Sequence, residues 1–376
     1  VKPAGDLFMN MIKMLIVPVI FFSVTSGIAA IGDVQRLKRI GSKVVIVYFL
    51  MTVIACIVGI VMVNITHPGV GFTLDNMQAF DTSKVKTPSF VNFLFDMVPV
   101  NIVDSMAKNQ IMQMIFFTVL VGVALVSLGE KVAGVTKIFD QCASIIYKML
   151  DIVMLYSPIG VLALMANTTA VFGPKLFGVL AKFVFTDWVG CLLIWFFFSG
   201  IVWLYTKVNY LEMCKSMIPI WVNTIATNSS AGTIPITLNV TTERLKVPMS
   251  IASFSIPLGA TINLTGAALY KTILAFFVAE IYGLQLTIDQ ILMVIIISTI
   301  MSIAAPGIPG GGIVTGAIFL NLLGLPMDLM GPIAGMYRLI DMSHTTVNVS
   351  GDVLGTMLVA KNENIWTGED FNKTLV

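Results

Sequence analysis

The sequence predicts an all-α membrane protein that crosses the bilayer many times, and three observations predict it. Of 376 residues, 57% are apolar and only 11% are charged, with a mean hydropathy of +0.93; soluble domains carry roughly 25% charged residues. The apolar runs are much longer than strands and show no alternation, which selects helices over a barrel. The polar residues that interrupt these runs come in compact stretches rich in Pro, Gly, Ser and Asn. A net charge of +2 gives no sign of nucleic-acid binding. Cys56, Cys142, Cys191 and Cys214 lack metal-ligand spacing and read as buried thiols. The only two histidines, His67 and His344, are too far apart to suggest a zinc site.

In chain order, residues 5–31 form a first span with Pro18 inside it. The chain begins at Val1 on a helix-like run, so a further membrane helix is expected upstream. The basic cluster Gln35 to Arg39, ending with Lys43, marks a cytoplasmic loop. Residues 44–65 cross outward, and 66–98 form a polar extracellular loop. Residues 99–128 return as a span interrupted at Lys108 and Asn109. Residues 139–169, with Pro158, go out, and 174–206 come back.

The next segment breaks this parity. Residues 216–241 are polar at their centre, Asn223 to Pro235, yet basic residues flank both sides: Lys207 and Lys215 before, Arg244 and Lys246 after. Both flanks are therefore cytoplasmic and the segment is a re-entrant hairpin. Irregular backbone at membrane depth is tolerated only where it is buried in protein or lines a cavity. Residues 248–283 then cross outward, with unwinding expected between Pro257 and Gly266. Residues 288–322 form a second hairpin, tipped by Pro306 to Gly312, with no Lys or Arg in its flanks. A last helix, 327–361, leads to a cytoplasmic tail, 362–376. Hairpin, broken helix, hairpin, helix, with the hairpins opening on opposite sides, is an inverted repeat of the kind that places a binding site near the bilayer midplane.

The last helix carries Arg338, Asp341, His344, Asn348 and Asp352. At about 100° per residue, Asp341, Thr345, Asn348 and Asp352 fall within roughly 40° of one another. Charges at membrane depth cost at least a few kcal/mol each and normally face a cavity, a partner or an ion. Asp341 and Asp352 stand about 16 Å apart along the helix, which rules out a protease dyad, whose carboxylates nearly touch. Two opposed gates around a midplane site argue against a channel.

These motifs resemble the dicarboxylate/amino acid:cation symporter family, the glutamate transporter homologues. The resemblance rests on Ser229 to Pro235, Pro257 to Gly266, Pro306 to Gly312 and Asp341…Thr345…Asn348…Asp352, in the family's order and spacing. Lys2 to Phe8 with Lys13-Met14-Leu15 extends it over nearly the whole chain. The resemblance implies a secondary active transporter of the prokaryotic cell membrane, not an enzyme, working as a homotrimer by an elevator mechanism. Residues 1–40 and 99–172 would be scaffold; 41–65 and 173–361 would be the moving transport domain. The partners implied are an amino acid, sodium and membrane lipid.

Carried over residue by residue, Asp341 takes the substrate ammonium and Asn348 its α-carboxylate. Ser229, Ser230, Thr345, Gly312 and the Ile308 carbonyl complete the pocket. Asp352, Asn348, Gly259 and Asn263 match one sodium site. Carbonyls of Thr261, Ser302, Ile303 and Ala305 match a second. Three departures matter. His344 stands where acidic-substrate members carry arginine, and Ala267 stands where they carry threonine. The implied substrate is then a neutral or small polar amino acid, with an acidic amino acid or dicarboxylate, coupled to sodium or protons, as the alternative. Thr265 replaces an aspartate and Met51, beside Tyr48 and Thr52, replaces a hydroxyl. A third sodium site is thereby weakened, so two coupling ions are expected rather than three. Asn228 replaces an arginine that some members place before the serines, and Arg338 is the candidate to supply that charge near Asp341 and Asp352.

Overall fold

The computed structural model describes residues 2–18, 21–22, 25–29, 41–70, 95, 98–108, 110–156, 158–160, 162–163, 166, 170, 175–303 and 310–373. All regular structure among them is helical. The helices are α1 (Lys2–Met14), α2 (Ser42–Thr66), α3 (Ile102–Ala107), α4 (Ile111–Leu128), α5 (Ala133–Leu155), α6 (Lys175–Thr206), α7 (Tyr210–Thr227), α8 (Ser230–Asn239), α9 (Met249–Ile262), α10 (Thr265–Ile281), α11 (Ile288–Ile303), α12 (Gly311–Leu322), α13 (Met330–Asn362) and α14 (Gly368–Asn372). The expected interruption near Lys108 is present, between α3 and α4. Most of the 66–98 loop and the tip residues 304–309 lie outside the described residues.

Four stretches are long and apolar enough to cross a membrane: Ser42–Thr66, Phe116–Ile146, Phe177–Thr206 and Met249–Ile281. They differ in what surrounds them. Leu120, Ile138, Ile152, Phe185 and Phe196 on α4, α5 and α6 are exposed, as lipid-facing positions require. Nearly every residue of α10 is buried instead, so the broken helix is enclosed by protein. Around it pack α2, α6, α11 and α13, with α13 lying along α6, α7 and α9.

Both hairpins form. The first is α7 and α8, turned at Asn228 and Ser229. Asn228 takes a left-handed conformation that ends α7, and the Ser229 hydroxyl caps α8 by accepting the Gly232 N–H at 3.0 Å. Such a cap is worth about 1 kcal/mol. The arms are cross-linked by Thr233 Oγ1 donating to Asn223 Oδ1 at 3.0 Å. The second hairpin is α11 and α12. Unwinding of the broken helix is narrower than expected: Pro257 lies inside α9, and only Asn263 and Leu264 leave helical geometry.

Hydrogen bonds fix which ends lie together. Asn372 accepts from the Asn209 N–H at 2.8 Å and donates to the Lys207 carbonyl at 3.0 Å, while Trp366 donates to the Leu245 carbonyl at 3.1 Å. Lys43 reaches Asn362 at 2.6 Å. Lys207 precedes the first hairpin and Leu245 follows it, so both flanks meet the C-terminal segment at one end of the molecule. The tail is therefore packed rather than free, with Trp366 and Phe371 buried. At the other end, Glu280 binds His67 at 3.0 Å and the Gly69 N–H at 2.7 Å, and Tyr282 donates to Asp328 at 3.0 Å. Burial, and then Asp328, raise the Tyr282 phenol well above its usual range, so it remains a donor. Tyr282 precedes the second hairpin and Asp328 follows it. The two hairpins thus open at opposite ends, as the basic flanks indicated.

Candidate binding site on the last helix

The polar face expected on the last helix exists. Asp341, Thr345, Asn348 and Asp352 all lie on α13, each at most 8% exposed. The broken helix and the two hairpins meet it. Asn348 Oδ1 accepts the Gly266 N–H at 2.7 Å; a backbone donor requires the oxygen there, which leaves the amide nitrogen free to donate elsewhere. Asp352 Oδ1 accepts from Asn263 Nδ2 at 2.9 Å. The two side chains one turn apart on α13 therefore grip the two sides of the break.

Asp341 faces the second hairpin. Its Oδ2 accepts the Gly310 N–H at 3.2 Å and its Oδ1 the Tyr337 hydroxyl at 3.4 Å. A Cβ on Gly312 would lie 1.7 Å from Tyr337 Oη, so only glycine permits this approach. Ser230 is buried and Ser229 half-buried at the first hairpin's turn. Ile308 and Ala305, expected in the pocket and the second ion site, lie outside the described residues. Ser302 and Ile303 end α11, and Thr261 lies in the last turn of α9.

The donor set beside Asp352 suits a hard cation. Asn263 Oδ1 and Thr265 Oγ1 are buried oxygens with no hydrogen-bond partner, and Gly259 packs so closely that a Cβ there would sit 2.3 Å from Asp352 Oδ1. Unpaired oxygens beside a carboxylate are costly unless something positive satisfies them. The residues of the weakened third site also gather here. A Cβ on Gly351 would be 2.9 Å from Asn263 Nδ2 and 3.2 Å from Met51 Cε. Thr52 spends its hydroxyl on the Tyr48 carbonyl at 2.9 Å, and Tyr48 spends its own on the Ser255 and Asp352 carbonyls at 3.1 Å each.

Two expectations change. Arg338 is exposed, and its guanidinium donates to the Ala226 carbonyl at 3.3 Å while Asn228 donates to the Arg338 carbonyl at 3.1 Å. It ties α13 to the first hairpin, and no ion pair joins it to Asp341 or Asp352 among the described residues. His344 is not directed at substrate alone: its Nε2 lies 2.8 Å from Asp187 Oδ1, with both side chains at most 2% exposed. Cys142 and Cys214 are half-buried rather than buried.

Two residues that sequence reasoning passed over belong to this core. Asp187 lies in the middle of α6 with no exposure. Lys271, in α10, is also fully buried and donates to the Ala267 carbonyl and to Ser302 Oγ, each at 3.2 Å. Each is a lone charged residue type inside an apolar helix, a signal that by itself marks a functional candidate.

Comparison with known proteins agrees with this geometry. The family model described as Sodium:dicarboxylate symporter family matches residues 1–362. The chain is 33% identical over 373 residues to a proton/glutamate-aspartate symporter of Escherichia coli (strain K12), covering 96% of this chain and 85% of that protein. It is 31% identical over 375 residues to a proton/glutamate-aspartate symporter of Bacillus subtilis (strain 168), covering 98% and 90%. It is 32% identical over 372 residues to a C4-dicarboxylate transport protein of the same Bacillus strain, covering 96% and 87%. These names fit the acidic alternative better than the expectation of a neutral substrate.

Proposed function

The chain belongs to the sodium:dicarboxylate symporter family, an integral membrane transporter by its helices, and from that premise we propose that it carries out cation-coupled symport of an acidic amino acid, aspartate or glutamate. The observation that carries the amino-acid part is Asp341. A buried carboxylate at the closing hairpin repels a bare dicarboxylate but pairs with an ammonium group, which a zwitterion supplies. Asn348 would offer its free amide nitrogen to the α-carboxylate. The α8 N-terminus at Ser229 and Ser230 adds a favourable dipole for that anion.

Sodium is the coupling ion this reading favours, held by Asp352, Asn348, Asn263 and Gly259 at one site. Thr261, Ser302, Ile303 and Ala305 would hold it at another. The loss of hard ligands at Met51 and Thr265 supports two ions rather than three. Residues 41–65 and 173–361 would move as one transport domain against a scaffold of 1–40 and 99–172, in a homotrimer, with the second hairpin as gate. A small neutral amino acid is the second reading, favoured by Ala267, whose methyl offers nothing to a side-chain carboxylate.

Uptake into proteoliposomes tests the proposal, with aspartate, glutamate, asparagine, serine and succinate offered under a sodium gradient, a proton gradient or none. Saturable uptake of aspartate or glutamate that requires a cation gradient is the expected result. Preference for serine or asparagine supports the second reading. Uptake of succinate in preference to every amino acid overturns the role given to Asp341.

A further inference from the structure

Asp187 has no assigned role, yet it organises the most deeply buried polar cluster in the protein. Its carboxylate is completely enclosed within α6. Oδ1 faces His344 Nε2 at 2.8 Å, and Oδ2 accepts from Ser343 Oγ at 3.2 Å, with Cys191 Sγ at 4.0 Å. The His344 ring is further confined by two phenols, Tyr270 at 5.3 Å and Tyr337 at 6.2 Å between centroids. Those two rings themselves meet edge to face at 5.4 Å. The ring therefore has one orientation, and its outer nitrogen is committed to Asp187.

The inner nitrogen is not. His344 Nδ1 is buried and has no hydrogen-bond partner. A carboxylate only accepts, so Nε2 must carry a hydrogen, and the ring's one remaining capacity lies at Nδ1. His344 follows Asp341 by three residues and precedes Asn348 by four, the spacings at which helical side chains are neighbours. It thus stands beside both groups that would hold the backbone of a bound amino acid. A buried carboxylate needs a counter-charge at membrane depth, and among the described residues the ring is its only cationic partner.

We propose that Asp187 is a positioning residue for substrate choice: it holds His344 as the imidazolium partner of an ion pair, so that Nδ1–H is presented to the side-chain carboxylate of an acidic amino acid. The inference rests on the acidic-substrate reading given above and names how that reading is met without an arginine. The groups facing the ring are Asp187 and Cys191 from α6, Tyr270 from α10, and Tyr337, Asp341 and Ser343 from α13. Only His344 among them is a donor able to carry positive charge. If the ring were neutral, Nδ1 would be an acceptor and the same pocket would choose an amide or hydroxyl side chain.

The test compares KM for aspartate and glutamate with KM for asparagine and glutamine, in full-length protein reconstituted with sodium. The wild type should favour the acids. Asp187→Asn should raise KM for the acids by roughly 10- to 100-fold, the worth of one charge-assisted hydrogen bond. It should leave the amides and the maximal rates nearly unchanged. Adding His344→Arg to that variant should restore acid preference, because arginine carries its charge without help. Should Asp187→Asn fail to fold, His344→Gln reads the same ratio and should invert it. Acid and amide KM rising together, or an acid preference that survives both changes, overturns the inference while leaving acidic-substrate transport standing. A wild type that prefers amides overturns both.

Discussion

Gly259 and Asp352 meet at a distance that leaves no room for a single added carbon. A Cβ at 259 would fall 2.3 Å from one carboxylate oxygen and 2.5 Å from its carbon, so Gly259→Ala must push Asp352 away from Asn263. Overpacking of this sort costs about 1–3 kcal/mol, or roughly 5- to 100-fold in affinity. Sodium titration followed by thermal shift should show that loss, with the folded protein otherwise intact; an unchanged half-saturation would remove Asp352 from the ion site. At this scale the sequence was readable for Asp341, Asn348 and Asp352, because one helix face displays them at fixed angles. It was not readable for Asp187 and His344. They are 157 residues apart, and no local pattern joins an aspartate on one span to a histidine on another.

At the scale of elements, the broken helix depends on α13 for its shape. Gly266 has lost its regular helical acceptor and uses Asn348 instead. Asn348→Ala should therefore do more than weaken substrate binding. It strands a buried N–H, which costs about 1–3 kcal/mol, and should lower the unfolding temperature of ligand-free protein in detergent. A variant that loses transport but keeps the ligand-free unfolding temperature would show that the bond is not a support. The hairpins were legible because Pro, Gly and Ser interrupt apolar runs and because basic residues mark one side. The extent of unwinding was overestimated, since Pro257 is accommodated inside α9 and only two residues leave the helix. Arg338 was misjudged for a related reason. Helical spacing sets it one turn from Asp341, but its long side chain reaches outward to the first hairpin's carbonyl.

For the whole molecule, the C-terminal segment joins parts that are distant in sequence. Trp366 is 2% exposed and its indole N–H holds the Leu245 carbonyl, directly after the first hairpin, while Asn372 binds the turn before α7. Trp366→Ala should cost about 3–5 kcal/mol, as for other buried aromatics. Size-exclusion profiles of detergent-solubilised protein should show lower yield and earlier unfolding on heating. Unchanged behaviour would make the segment an appendage. The overall topology was legible from charge placement alone, but the packing of this tail was not, because its few apolar residues sit in a polar, loop-like stretch.

Asn348 and Asp352 hold the two sides of one break, and this has a thermodynamic consequence. A group that settles against Asn348 and a cation that settles against Asp352 act on the same two residues of unwound backbone, so neither binds independently. Linkage then requires reciprocity: the factor by which the cation tightens the solute is the factor by which the solute tightens the cation. Half-loaded carriers become rare in proportion to that factor. Wasteful slippage of either passenger alone is suppressed by two hydrogen bonds that belong to the protein itself.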